Sequence, residues 1–97
     1  MRISVTFKNL SASDQIKSYL QNKLDRFDKY LYSSGKADVV VKTEKLRKIV
    51  EINLLGDRLD IHAKKEHEDM QAAIDLALDR IRKQIVKNKE KLQQHRA

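Results

Sequence analysis

The sequence predicts an α+β fold: a two-layer sandwich with the order β-α-β-β-β-α, in which two helices cover one face of a four-stranded mixed sheet. Two segments repeat apolar residues every three or four positions, which is typical of helices with one buried face. Four shorter segments alternate apolar and polar residues or are rich in β-branched residues, which is typical of strands. Because the 97 residues include only two glycines and no proline, we expect short connections and a single domain over residues 1–97.

The first strand and the first helix occupy the N-terminal third. Residues 2–8 alternate polar and apolar side chains, which predicts a strand with one buried face. Ser11 or Ser13 is then expected to cap a helix. The apolar stripe of this helix lasts to about Tyr32, and the segment 33–35 (SSG) ends it.

Three further strands are predicted at residues 37–44, 49–55 and 58–64. The segment 45–48 (KLRK) is interpreted as a basic turn or strand end, and Gly56-Asp57 as the turn of a tight hairpin. A strand-helix-strand crossover makes the first two strands parallel, and the remaining strands continue as an antiparallel meander.

The last third of the chain predicts a long helix from about Asp69 to about Gln94, with a length of about 40 Å. After Ile85 the apolar register becomes sparse, so we expect the last turns to extend beyond the core. The stripe that predicts the buried face is Met70, Ala73, Ile74, Ala77, Leu78, Ile81 and Ile85.

Most of the net charge of +7 lies on this helix, since the stretch from Arg80 to Arg96 has seven basic residues and one acid, Glu90. Complementing the helix dipole explains basic residues in the last turn only, and these span about four turns. We therefore favour nucleic-acid binding over a merely solvated basic face. The basic positions flank the apolar stripe and can all face outward: Arg80, Lys83, Lys87 and Lys91 on one side, Arg82 and Lys89 on the other.

On the first helix, Lys23 falls at the phase of the apolar stripe, and two interpretations stay open. It is either an edge lysine whose stem covers the core, or, with Arg26 one turn on, part of a binding surface at the seam between the two helices. Tyr19 and Tyr30 are interpreted as core residues in preference to base-stacking platforms.

Several chemistries are not indicated. The absence of cysteine excludes disulfides, thiolate zinc sites and cysteine nucleophiles, and no catalytic motif is present. His62, His67 and His95 lack ligand spacing and are interpreted as surface residues. We therefore expect no enzyme activity, cofactor, metal or small-molecule substrate. With no apolar run near the roughly 20 residues of a membrane span and no signal peptide, the chain is expected in the cytosol, without a membrane partner.

Cations at helical spacing favour phosphates, which give affinity without base recognition. The sequence has no exposed aromatic pair for base stacking and no recognition-helix pattern for a DNA groove. A structured, densely charged target, namely folded RNA, therefore fits best.

The residues also resemble a known family, the ribosome hibernation factors, which include short hibernation promoting factors and protein Y. The likeness runs almost end to end, and 69–75 with the lysines that follow it is its most specific part. Gln71 stands where the family usually has an aromatic residue. The matching segments are 23–30 (KLDRFDKY), 42–45 (KTEK), 61–63 (IHA), 69–75 (DMQAAID) and 87–92 (KNKEKL).

This resemblance implies a fold similar to the double-stranded RNA-binding domain, in a protein that occupies the messenger and transfer RNA channel of the small ribosomal subunit and blocks translation. It implies a partner modulation factor acting jointly. The positions that match basic positions of the family, and would contact ribosomal RNA, are Lys23, Arg26, Arg80, Lys83, Lys87, Lys89 and Lys91; Arg82 is basic where the family need not be.

Because long-form members add a C-terminal dimerisation domain and this sequence stops at Ala97, it resembles the short form. Three alternatives stay open: a general double-stranded RNA-binding module, a protein Y-like stabiliser of single ribosomes without dimer formation, and a protein-binding regulator of a transcription factor. Glu66, Glu68 and Asp69 at the start of the last helix argue against the first, because they would repel phosphate.

Overall fold

The computed structural model describes residues 1–33 and 35–94, with side chains for residues 1–33 and 35–88. Ser34 and His95, included in the predictions above, lie outside the described residues. The elements in chain order are β1 (Arg2–Lys8), α1 (Asp14–Asp25), a 3₁₀ helix (Arg26–Tyr30), β2 (Lys36–Glu44), β3 (Arg47–Gly56), β4 (Leu59–His67) and α2 (Met70–Gln94).

The four strands form one sheet in the order β1-β2-β3-β4. β1 pairs with β2 in parallel, and the other two pairs are antiparallel, which confirms the predicted mixed sheet. Alternate strand residues face the helices, as the alternation predicted; they are half-buried on β1 and mostly buried on the other three strands. On the three strands after β1 these buried positions are Ala37, Val39, Val41, Val50, Ile52, Leu54, Leu59, Ile61 and Ala63.

Both helices lie on this face and run in the same direction. α1 follows the end of β1, where Lys8 is level with Lys42, and α2 follows the end of β4, where His67 is level with Lys48. Both ends adjoin the β2–β3 turn, so both helices begin there and run towards the opposite end of the sheet. Their buried residues complete a single core, and they are Leu20, Leu24, Phe27, Ala73, Ile74, Ala77, Leu78, Ile81 and Ile85.

The first helix ends differently from the prediction. Regular α-helix stops at Asp25 and continues as the 3₁₀ helix to Tyr30, short of Tyr32. A 3₁₀ helix has about three residues per turn, so residues three apart share a face. Phe27 and Tyr30 are therefore brought together, with ring centroids 6.4 Å apart. The predicted cap is confirmed at Ser13, whose hydroxyl accepts from the amide of Ile16.

The turn between β3 and β4 is shifted by one residue from the predicted Gly56-Asp57. Asp57 and Arg58 have positive φ values of 51° and 66°, as in the tight turns that match strand twist. Gly56 is the last residue of β3. A Cβ there would lie 3.1 Å from the Cα of Gly35, so close approach of two loops, and not backbone freedom, favours glycine at this position.

β4 also continues to His67, past the predicted end at Lys64, and this places His67 in a strand and not in a loop. Backbone pairing with β3 continues as far as the pair Lys48 and His67. Since that pairing needs no apolar side chain, the sequence pattern did not show it.

The other face of the sheet carries no helix and mixes charges of both signs. Glu51, for example, lies 3.8 Å from the ammonium of Lys42 and 4.0 Å from that of Lys64. This face therefore lacks a dominant sign of charge. Among the described residues, no helix is long and apolar enough to cross a membrane.

The parallel helices depend on buried side chains such as Ile81, which is 0% exposed. We expect Ile81→Ala to lower the free energy of unfolding by about 2–5 kcal/mol, because it leaves a cavity under α2. Leu76→Ala is the matched control, since Leu76 is 44% exposed on the same helix, and we expect a change within about 0.5 kcal/mol. Urea unfolding followed by circular dichroism measures both; equal losses would contradict the assigned buried face.

Candidate nucleic-acid interface

A groove of about 440 Å³ lies between α2 and the segment formed by α1 and the 3₁₀ helix. Phe27 and Leu78, which are almost fully buried, form its deepest part. Its charged lining comprises the cations Lys23, Arg26, Lys29 and Arg82 and the acids Asp75 and Asp79. Cations therefore outnumber acids along the seam between the two helices, where a phosphate chain could be neutralised.

A hydrogen bond joins the two helices at the end of the groove nearest their N-termini. The hydroxyl of Tyr19 on α1 donates to Oδ1 of Asp75 on α2, at 2.5 Å. The same oxygen accepts from Nε2 of Gln71, at 3.1 Å. The bond to the Asp75 carboxylate, followed by partial burial, raises the pKa of Tyr19 above its usual 10.0. Tyr19 is thus a cross-helix contact, and the exposed Gln71 donates to the same carboxylate.

Lys23 has the position expected from both interpretations that the sequence left open: it lies at the edge of the core and at the seam between the two helices. It is half-buried, and its ammonium lies 5.5 Å from the centroid of the Tyr19 ring, a distance at which a cation is attracted to an aromatic face. It also lines the groove together with Arg26 and Arg82. Its stem therefore covers the edge of the core while its charge lies at the seam.

Asp79 holds two of the predicted cations. Its carboxylate lies 3.1 Å from the guanidinium of Arg82 and 2.9 Å from the ammonium of Lys83. Hydrogen bonds from Lys83 and then Arg82 lower the pKa of Asp79 from its usual 3.8. All three side chains are solvent-exposed, and exposed ion pairs contribute only about 0–1 kcal/mol. Both cations can therefore exchange this carboxylate for a phosphate at little cost.

The other predicted cations of α2 whose side chains the structure describes lie outside the groove. Arg80, Lys83 and Lys87 are exposed but do not line it. At about 100° per residue, Arg80 and Arg82 are on opposite flanks of the stripe centred on Ile81. Because Arg82 faces α1, Arg80 faces away from it, as does Lys87 two turns later. The side chains of Lys89 and Lys91 lie outside the described residues.

The basic positions therefore form two rows. They are separated by the crest of α2, by which we mean the side of the helix that points away from the sheet. One row, at the seam, contains Lys23, Arg26 and Arg82. The sequence offered this seam for Lys23 and Arg26 as one of two interpretations, and the packing of α2 adds Arg82. The other contains Arg80 and Lys87. Lys83 lies on the crest, next to Asp79.

Lys29 lines the groove and was missed by the sequence interpretation. Its position is explained by the 3₁₀ helix, in which it stacks one turn after Arg26. Its ammonium lies 5.1 Å from the centroid of the Tyr30 ring. Arg26 and Lys29 are three residues apart in the sequence. This spacing predicts a shared face once the segment is known to be a 3₁₀ helix.

The exposed histidines make local hydrogen bonds. Nδ1 of His62 lies 2.6 Å from Oδ1 of Asn53, and Nδ1 of His67 accepts from the amide of Asp69. Within the described part of the chain, no cluster of three or more histidine, aspartate or glutamate side chains could hold a metal ion. Asp69 also accepts from the amide of Ala72, so a carboxylate already occupies the start of α2.

Fold and groove together define a class of small basic α+β domains with two parallel helices on a mixed sheet and a cationic seam between them. The chain belongs to the family described as sigma 54 modulation protein / S30EA ribosomal protein, whose model matches residues 3–93.

Relatives of known name support this membership. The chain is 32% identical over 91 residues to a ribosome hibernation promoting factor of Azotobacter vinelandii, covering 94% of this chain and 85% of the relative. It is 30% identical over 95 residues to the factor of the same name in Escherichia coli K12, covering 98% and 100%.

Solved structures agree with the fold. The N-terminal domain of Thermus thermophilus Protein Y superposes with a TM-score of 0.81 at 30% identity, over 88% of this chain and 96% of that one. A ribosomal subunit interface protein from Coxiella burnetii superposes with a TM-score of 0.79 at 25% identity, over 93% and 99%. The β-α-β-β-β-α architecture is therefore shared with both.

The bond between Tyr19 and Asp75 predicts a pH-dependent contribution to stability. Because the folded pKa of Tyr19 is raised, this contribution is present below the unfolded pKa of about 10 and is lost as the pH rises through the folded value. We expect Tyr19→Phe to reduce the free energy of unfolding at neutral pH by about 0.5–1.5 kcal/mol. Between neutral and strongly alkaline pH, the free energy of unfolding should then decrease less in this variant than in the unmodified protein.

Tyr30→Phe is the control, since no hydrogen bond of the Tyr30 hydroxyl is present among the described residues. Urea unfolding of both variants across this pH range gives the comparison. An unchanged alkaline profile in Tyr19→Phe would rule out the assigned contribution.

Proposed function

We propose that the protein is a non-catalytic, cytoplasmic factor that binds the small ribosomal subunit, occupies its messenger and transfer RNA channel, inhibits translation and promotes ribosome hibernation. The observation that carries this proposal is the cationic seam, where Lys23, Arg26 and Arg82 from separate elements line one groove. The names of the relatives, ribosome hibernation promoting factor, support the ribosome as the target.

In this proposal the basic residues bind phosphates of ribosomal RNA. Phosphate contacts give affinity and orientation without reading bases, and the groove has no pair of exposed aromatic rings for base stacking among its described residues. The seam row engages one stretch of backbone and the second row of α2 another. The contacting residues are Lys23, Arg26, Arg80, Arg82, Lys83, Lys87, Lys89 and Lys91.

The shape of the domain supports occlusion as the mechanism. Its extents are 50 × 21 × 16 Å, so it is an elongated body with a narrow cross-section. Such a body can lie along a channel that otherwise holds nucleic-acid strands, and binding there excludes them sterically. Inhibition then needs affinity alone, without a chemical step. In this proposal a modulation factor acts jointly with the protein when ribosomes dimerise.

Charge reversal tests the interface. Arg26 and Lys87 are exposed and make no ion pair among the described residues, so their substitution leaves the packing intact. We expect Arg26→Glu with Lys87→Glu to weaken cosedimentation with small ribosomal subunits at least tenfold, because two attractive contacts become repulsive. The control is Arg2→Glu with Lys36→Glu, which makes the same change of net charge on the helix-free face of the sheet.

Binding of the control is expected to stay within about threefold of the unmodified protein, since nonspecific charge effects are small at physiological salt. Equal weakening in both variants would assign the effect to net charge and not to this surface. Comparable affinity for an isolated RNA duplex and for ribosomes would instead support a general double-stranded RNA-binding module.

A sucrose-gradient profile of ribosomes with and without the protein tests hibernation itself. We expect the protein in the ribosomal fractions, reduced polysomes and, with a modulation factor, ribosome dimers. Single ribosomes that persist with the factor present would favour a protein Y-like stabiliser. Failure to bind ribosomes at all would overturn the proposal.

A further inference from the structure

The turn between β2 and β3 is a second basic feature, which the seam does not include. We name the residues Lys45, Leu46, Arg47 and Lys48 the hairpin tip; they contain three cations and no acid. Lys45 has a left-handed backbone, with φ of 54°, and Leu46 is 84% exposed. The tight turn therefore projects one apolar side chain from a cluster of positive charge.

Few of these charges are neutralised by neighbours. Arg47 lies 3.8 Å from the carboxylate of Glu66, in an exposed pair, and the ammonium of Lys48 lies 3.5 Å from the hydroxyl of Thr43. Lys45 makes no ion pair among the described residues. The neighbouring acid, Glu44, lies 3.4 Å from the ammonium of Lys42. Cations are therefore in excess within the tip itself, while the acids Glu66, Glu68 and Asp69 lie next to His67 at the same end of the sheet.

The hairpin tip is far from the cationic seam. The α-amino group of Met1 lies within 3.1 Å of Asp25 and 2.8 Å of Asp28, which places the end of α1, with Arg26 and Lys29, beside the start of β1. That start is level with Lys36, the first residue of β2, whereas the tip follows the last. β2 has 9 residues, so the tip lies about 25–30 Å along the sheet from the end of the seam that holds Arg26 and Lys29.

The chemistry of the tip favours RNA over a protein partner. Protein-binding sites expose contiguous apolar patches, whereas Leu46 is isolated. The other exposed large apolar residues of the described chain are Tyr32, Leu55 and Leu76. Leu55 pairs with Lys36 at the opposite end of the sheet, Tyr32 precedes β2 at that same end, and Leu76 lies on α2. A single leucine between cations instead suits a phosphate backbone with an adjacent sugar or base.

We propose that the hairpin tip is a further RNA-backbone contact, which binds RNA about 25–30 Å from the Arg26 and Lys29 end of the seam and fixes the direction of the domain on the small ribosomal subunit. This inference rests on the proposed function. Lys45 and Lys48 neutralise phosphates, and Leu46 lies against a sugar or base of the same strand. Contacts at both ends of the domain then determine one orientation, which the seam alone leaves free.

Neutralisation of the tip tests the inference. Binding of Lys45→Gln with Lys48→Gln to purified small ribosomal subunits is measured at several KCl concentrations. We expect roughly tenfold weaker binding at moderate salt and a slope of log affinity against log salt that is smaller by about two, or about one per lost phosphate contact. The matched control, Arg2→Gln with Lys36→Gln, is expected to keep the affinity within about twofold and the slope unchanged.

A cross-link identifies what the tip contacts. A photoreactive benzoylphenylalanine in place of Leu46 is expected to cross-link to RNA of the small subunit. Cross-linking to a ribosomal protein alone would overturn the inference, as would unchanged affinity and slope in the tip variant or an equal loss in the control. If the unmodified protein binds subunits while the tip variant binds equally well, only the inference fails. If the unmodified protein does not bind, the proposed function fails and the inference with it.

Discussion

The burial of two apolar helix stripes on one face of the sheet is the constraint on which the rest of the molecule depends. Ile74, Ile81 and Ile85 of α2 and Leu20 and Leu24 of α1 are almost completely removed from water, and burial of each such side chain contributes about 1.5–3 kcal/mol. Because both helices begin at the same end of the sheet, this packing makes them parallel neighbours. Their polar flanks then meet at a seam, which is where Lys23, Arg26 and Arg82 lie.

The seam is positioned by apolar packing and adjusted by polar contacts. Tyr19 and Asp75 join the helices across the groove, while Asp79 holds Arg82 and Lys83 in exposed ion pairs. Asp79 thereby offsets the repulsion between these two cations in the free protein. Since such pairs are weak, they would yield to phosphates in the proposed function. A surface can thus be stable when unbound and still have a strong preference for a polyanion.

The sequence predicted the fold well because its signals are local. Period-two alternation and helical stripes report burial directly, and the order of elements leaves few ways to pack them. Predictions were least accurate where hydrogen bonds or close contacts decide the backbone. The switch to a 3₁₀ helix after Asp25, the shift of the turn to Asp57 and Arg58, and the extension of β4 to His67 belong to this group. None of these changes alters which side chains are buried. The apolar pattern of the sequence therefore does not indicate them.

For the interface, the sequence by itself determined the charge: an excess of cations on one helix and a lysine out of pattern on the other. Tertiary structure alone decided which of those cations meet. It brought Arg82 to Lys23 and Arg26, added Lys29, directed Arg80 and Lys87 to the opposite flank, and placed the hairpin tip at the other end of the sheet. The physical reason is that charge is a property of each residue, whereas its neighbours across a seam depend on how two helices, distant in sequence, pack on a common core.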